Sequence, residues 1–231
     1  MDIYYEDHGQ GFPILLLHGN QENRKIYNRL ISDLEDHYRL IAIDTRYHGK
    51  SIKSGEVSLH QFALDVKSVA DELHLEAYDV IGFSDGANIA LTLASMDKRM
   101  KSMILLSPNS TPKGIKAIYR IGMILQLILL PIFMIYNQKA RRMFKLTKFM
   151  LNEPHFDYDY LHSLKIPALL MSGENDMIKA SDITFIGESL PYCVSHVMEN
   201  SSHFLLEDAY QNVLKEIRGF LYARHKNKST S

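Results

Sequence analysis

Residues 82–86 read Gly-Phe-Ser-Asp-Gly, placing a hydroxyl between two glycines where an apolar run gives way to a small-residue helical pattern. A serine hydroxyl is a weak nucleophile unless the backbone exposes it and a nearby base takes its proton. A sharp strand-to-helix turn achieves the exposure. Because such a turn crowds backbone on both sides, it admits only small residues at its flanks, here Gly82 and Gly86. The same turn leaves the backbone N–H of Asp85 at a helix N-terminus, where unpaired donors and the helix dipole favour a developing negative charge. The chemistry indicated is attack of Ser84 on a carbonyl, with the Asp85 amide as one oxyanion donor. A plain glycine-rich turn would share these five letters, so the strand before and the helix after them carry much of the weight.

The base must be a histidine, and the chain has eleven. His8, His37, His60, His74 and His225 stand in polar surroundings and are expected to be solvated. His203 differs, since it follows the last apolar strand in a short loop before the final helix. An imidazole acting as base needs an acceptor on its other nitrogen to fix its tautomer and stabilise the imidazolium. The turn at 173–178 offers Glu174 and Asp176; Asp176, at its tip, is the first choice and Glu174 the lesser one. The resulting order along the chain is Ser84, Asp176, His203, the nucleophile-acid-histidine order associated with a nucleophile on a strand-turn-helix elbow.

These residues need a scaffold that brings distant loops to one edge. Near-continuous Ile, Leu and Val runs predict strands at 3–6, 14–18, 40–44, 79–83, 102–107, 168–172 and 195–199, several of them covered on both faces. Helical patterns lie between them at 24–36, 59–73, 85–96, 181–189 and 209–224. Strand-helix alternation predicts an α/β fold with a mostly parallel, seven-stranded sheet, whose ligands bind beyond the carboxyl ends of the strands. Residues 111–164 break the alternation, with helices predicted at 115–130 and 132–149 joined at Pro131. We therefore expect a core from 1–110 and 165–231 and a helical cap from 111–164. The polar tail at 224–231 is expected to fray.

Composition narrows the classes. With 231 residues and a formal charge of −1, the chain can bury a sizeable core and has no global basic field to attract nucleic acid. Cys193 is the single cysteine, which excludes an intramolecular disulfide and a thiolate metal cage. The acidic, tyrosine-containing start at 1–11 lacks the pattern of a secretory signal, so the expected compartment is the cytoplasm.

Taken together, Leu-Leu-Leu-His-Gly-Asn at 15–20, Asp-Thr-Arg-Tyr-His-Gly-Lys-Ser at 44–51, the elbow at 82–86, Gly-Glu-Asn-Asp-Met at 173–177 and Ser-Ser-His-Phe at 201–204 make the chain resemble the α/β-hydrolase superfamily. The resemblance spans nearly the whole length. It implies that His18 and Gly19 shape the first loop and that the backbone N–H of Asn20 supplies the second oxyanion donor. Asp44, Arg46, His48 and Gly49 match a structural turn pinned by an Asp-to-Arg pair. Ser84 in place of an aspartate disfavours the haloalkane dehalogenase and epoxide hydrolase branches. The absence of Trp departs from proline iminopeptidase-like relatives.

The implied activity is a serine hydrolase of the carboxylesterase kind, cleaving carboxylic esters or thioesters of small to medium apolar acyl groups through an acyl-enzyme. It requires no metal and no organic cofactor. An acyltransferase or perhydrolase using the same triad is the alternative, as is a non-catalytic ligand-binding or membrane-surface protein. Sixteen residues without charge at 121–136 carry more apolar surface than one core-facing stripe absorbs. Part of it, at Ile121, Leu125, Leu127 and Ile128, is expected to line an acyl pocket that favours medium over very short chains. The run is too short for a membrane span and is interrupted by Pro131, but five basic residues at 139–148 keep peripheral membrane contact open. The oligomeric state is not legible.

Overall fold

The computed structural model describes residues 2–226. Seven strands form one sheet: β1 (Tyr5–His8), β2 (Phe12–Leu17), β3 (Tyr38–Ile43), β4 (Tyr78–Phe83), β5 (Met100–Leu106), β6 (Ala168–Gly173) and β7 (Cys193–Met198). Their spatial order is β1-β3-β2-β4-β5-β6-β7, with β1 antiparallel to β3 and every other pair parallel. All seven predicted strands are present, with ends shifted by a few residues.

Alternation along the strands explains the two-sided core. In β2, Leu15 and Leu17 point into one buried cluster and Ile14 and Leu16 into the other, and all four are fully buried. The first cluster lies under α2 (Leu59–Glu72), α3 (Asp85–Met96) and α7 (Ala180–Ser189). The second is covered by α1 (Asn28–Leu34), the short α8 (Leu205–Asp208) and α9 (Tyr210–His225). Ser58 caps α2 by accepting from the Gln61 amide, satisfying one of the donors a helix start leaves free.

Between β5 and β6 the chain forms α4 (Ala117–Phe133), α5 (Gln138–Asn152) and α6 (Tyr158–Ser163). Two expectations are corrected here. Pro131 does not join two helices; it sits in the last turn of α4, and the reversal comes later, before Asn137, whose side chain caps α5. A proline lacks the N–H that would bond the carbonyl one turn back, and here only two further residues of α4 follow it. The second correction concerns His225, expected to be solvated. It closes α9, places Nε2 2.8 Å from buried Asp79 Oδ2 and packs against Phe12 and Tyr38. Of the tail expected to fray, residues 224 and 225 belong to α9 and residues 227–231 lie outside the described residues. Among the described residues, no helix is long and apolar enough to cross a membrane.

Candidate active site

The strand order reverses between β2 and β4, which are neighbours in the sheet, and loops leaving their carboxyl ends therefore meet. Ser84 leaves β4 with φ +52° and ψ −117°, a strained conformation for a non-glycine residue, and its amide donates to Leu106 O at 2.8 Å. The glycines are obligatory. A Cβ on Gly82 would stand 2.3 Å from Gly86 O, and one on Gly86 would stand 1.9 Å from Leu17 O. Close backbone approach, and not an unusual φ, excludes side chains at both positions.

The loop after β7 brings His203 to this elbow. Its Nε2 lies 3.0 Å from Ser84 Oγ and its Nδ1 lies 2.7 Å from Asp176 Oδ1. Phe83 and Phe204 flank the ring, with centroids 5.0 and 5.8 Å away, which limits its rotation. Asp176 also accepts from the Ile178 amide at 2.9 Å and the Ser107 hydroxyl at 2.5 Å. Burial alone would raise the Asp176 carboxyl, but the hydrogen bond and charge of His203, with the Ile178 and Ser107 donors, hold it below its ordinary value. Glu174, the lesser candidate, is exposed and accepts from the Asn200 amide instead. The structure thus brings together Ser84, Asp176 and His203 and leaves Glu174 outside.

The loop after β2 supplies the opposite wall. His18 is buried, with Nδ1 2.7 Å from Gly19 O and Nε2 accepting from the Thr45 amide at 3.1 Å. Those contacts suit the neutral ring, and burial pushes its pKa down to about 4. His48 Nε2 accepts from the Gln21 amide at 3.0 Å; burial, reinforced by His18, pushes His48 down to about 3. Both histidines therefore act as loop fasteners. The pair expected between Asp44 and Arg46 does not form: Asp44 takes Arg24 at 2.9 Å, whereas Arg46 bonds Asp65. The side chains of Arg24 and Asp65 come from neighbouring elements that sequence spacing does not relate.

Two residues gain roles that the sequence did not disclose. Asp85 Oδ2 accepts from Asn20 Nδ2 at 2.8 Å, tying the elbow to the β2 loop. Glu22 Oε2 accepts from the Gly19 amide at 3.0 Å, a reach back over three residues like that of a capping box, and this i, i+3 spacing is the one signal that pointed to it. Burial raises Glu22 to about 7 and Asp85 to about 6, in each case against the hydrogen bond that the carboxylate accepts. Both carboxyls beside this loop are thereby biased toward neutrality. Among the described residues the backbone N–H groups of Asn20 and Asp85 are engaged by no loop or turn hydrogen bond, and the two residues are joined through their side chains.

The expected acyl pocket is not where the sequence suggested. Ile121, Leu125 and Ile128 are 53%, 54% and 63% exposed on the outer side of α4, and Leu127 is half-buried on its other side. The helix packs on α5, and Met123 is the α4 side chain that reaches the core cluster. A cavity of about 50 Å3 is lined by Ile26, Phe83, Phe204 and Leu206 with Glu22 and Glu207, and so borders the two rings that flank His203 without being lined by His203 or Ser84. Where α5 meets the β2 loop there is a polar cleft of about 390 Å3, lined by Gln21, His48, Lys139 and Arg142 among others. Among the described residues no cluster of His, Cys, Asp or Glu could hold a metal ion.

Comparison with known proteins agrees with this architecture. A family model described as alpha/beta hydrolase fold matches residues 13–129. The AB hydrolase superfamily protein YisY of Bacillus subtilis is 36% identical over 91 residues, covering 38% of this chain and 34% of its own. The chain spans less than half the length of the curated relatives it matches. Among solved structures, MGS-M2, an alpha/beta hydrolase enzyme from a deep-sea metagenome library, has a TM-score of 0.82 at 18% identity, covering 95% of this chain and 94% of its own. A thermophilic esterase from Thermogutta terrifontis has a TM-score of 0.74 at 20% identity, covering 95% and 92%. At these identities the structural likeness concerns the fold.

Proposed function

Since the chain belongs to the alpha/beta hydrolase fold family, we propose that it is a serine esterase that cleaves carboxylic esters with a small acyl group through a covalent acyl-enzyme. The observation that carries this reading is the unbroken hydrogen-bonded line from Asp176 through His203 to Ser84. In the first step Ser84 Oγ attacks the ester carbonyl as His203 Nε2 takes the hydroxyl proton. The carbonyl electrons move onto oxygen, where the backbone N–H groups of Asn20 and Asp85 receive the negative charge. As the intermediate collapses, His203 returns the proton to the departing alcohol. Water then repeats the sequence on the acyl-enzyme, releasing the acid and restoring Ser84. Asp176 orients the ring and offsets its charge while it is protonated.

A cavity of about 50 Å3 borders Phe83 and Phe204, the rings that flank His203, and supports the reading of a small acyl group. The test is turnover of p-nitrophenyl esters together with fluorophosphonate labelling. Ser84→Ala should abolish both turnover and labelling while leaving the thermal midpoint close to that of the wild type. Label on another residue, or an active alanine variant, would overturn the assignment, and faster transfer to an added alcohol than to water would make the enzyme an acyltransferase.

A further inference from the structure

The outer face of α4 is an apolar surface with no partner among the described residues. Ile118, Ile121, Leu125, Ile128 and Ile132 repeat at helical spacing and are each more than half exposed, and Tyr136 beyond the helix is 96% exposed. At 100° per residue this stripe, with Ile124 and Leu129 on its flanks, spans about 140° of the helix circumference. Single exposed apolar side chains are ordinary, but a continuous row of this size marks an interaction surface.

The charge around it has one sign. From Thr111 to Asn152 the sequence has eight Lys or Arg and no Asp or Glu, in a chain whose formal charge is −1. No ion pair within the described residues engages a cation of this segment. Lys139, Arg141, Lys145 and Lys148 are exposed on α5, which packs against α4. Arg141 donates to Met134 O and Ile135 O, which fixes a cation directly beside the exposed Ile135 and Tyr136. Apolar and cationic groups are therefore contiguous at the turn of the hairpin.

We propose that the α4–α5 hairpin docks on an anionic phospholipid surface, with the Ile/Leu face of α4 inserted at the headgroup-acyl boundary and the cations of α5 set against lipid phosphates. A mainly aliphatic row on a hairpin that carries cations and no acidic group fits this occupant better than a protein partner. Protein interfaces concentrate their energy in Trp, Tyr and Arg anchors with matched polar groups, whereas a bilayer demands only apolar area and positive charge. The hairpin is firmly attached beside the site: Ile115 bridges Ile178, and the Lys116 amide donates to Met177 O at 2.9 Å, next to Asp176. Docking would hold the carboxyl edge of the sheet close to the lipid surface. The proposal does not depend on the esterase reading, since it is tested by binding alone.

The experiment is co-sedimentation of the full chain with vesicles of phosphatidylcholine, with or without phosphatidylglycerol. Binding should be at least about ten-fold stronger to the anionic vesicles and should fall steeply with added salt. Ile128→Asp with Ile132→Asp should abolish it, and Lys145→Glu with Lys148→Glu should erase the preference for anionic lipid; circular dichroism establishes that each variant is folded. Equal binding to both vesicle types, no binding, or wild-type behaviour of either variant would overturn the proposal. A wild-type dimer by light scattering that Ile128→Asp with Ile132→Asp converts to monomer would also overturn it, by assigning the face to a second copy of the chain.

Discussion

Asp85 holds Asn20 across 65 residues of sequence: the carboxylate following the elbow serine accepts the side-chain amide of the residue after Gly19 at 2.8 Å. The two residues whose backbone N–H groups are proposed to receive the oxyanion are thereby clasped to each other, so the separation of the donors is set by a side-chain bond as well as by the sheet. Replacing Asp85 with Asn keeps a hydrogen-bonding group at that place, while Ala removes it. Asp85→Ala should lower kcat by about ten- to a hundred-fold with little change in KM, as a donor misplaced by a fraction of an ångström would. Asp85→Asn should retain most of the activity, and equal loss in both variants would mean that the charge and not the clasp matters.

The choice of acid is tested by a pair of variants. Asp176→Asn removes the anion from His203 Nδ1 and should reduce kcat by about four orders of magnitude, whereas Glu174→Gln, on an exposed side chain bonded to the Asn200 amide, should stay near wild type. Steady-state kinetics on one p-nitrophenyl ester decides between them.

Stability should depend on pH through Glu22. Its folded-state value is raised to about 7 from 4.5, so between these values the folded chain keeps a proton that the unfolded chain has released, and stability falls as pH rises. His18 and His48 act in the opposite direction. Their folded values of about 4 and about 3 lie below 6.5, so stability is lost as pH falls from 6.5. Glu22→Gln removes only the first contribution while preserving an acceptor for the Gly19 amide. Its stability relative to wild type, read from urea midpoints, should therefore increase from pH 4.5 to pH 7 and level off above. A constant difference would show that the Glu22 carboxyl is not raised.

Two glycines offer opposite outcomes. Gly86→Ala forces a Cβ to within 1.9 Å of Leu17 O, backbone that cannot step aside, and should destabilise the fold by about 1–3 kcal/mol or more along with the loss of turnover. Gly122→Ala, on α4 with nothing within 4 Å of the added carbon, should stabilise by about 0.5–1 kcal/mol through helix propensity. Thermal melting measures both.

Acyl specificity should follow the cavity lined by Phe83 and Phe204 and not α4. Acetate to butyrate esters should be turned over faster than octanoate. Phe204→Ala, which removes one wall of that cavity, should improve the longer ester relative to acetate, while Leu125→Asp on the exposed face should leave the ratio unchanged. A shift with Leu125 would return the pocket to α4.

What the sequence determined by itself was the part that local chemistry enforces. Apolar runs long enough to be buried on both faces specified the strands, small residues at 82 and 86 specified a turn too tight for side chains, and the position of each polar loop after its strand specified which edge the loops would share. Ser84, Asp176 and His203 were legible for that reason, since parallel strands carry every such loop to the same side. The tertiary structure alone decided matters that depend on which surfaces meet. Arg46 turned to Asp65 and Asp44 to Arg24, because ion pairing follows proximity in space and not spacing along the chain. The charge pattern could not show that Asp85 would grip Asn20 or that Asp79 would take His225, as both contacts join elements distant in sequence. The apolar face of α4 was equally ambiguous in sequence: hydrophobic periodicity states that a helix has an apolar side but not whether protein, substrate or another surface covers it, and packing of α4 on α5 left that side turned outward.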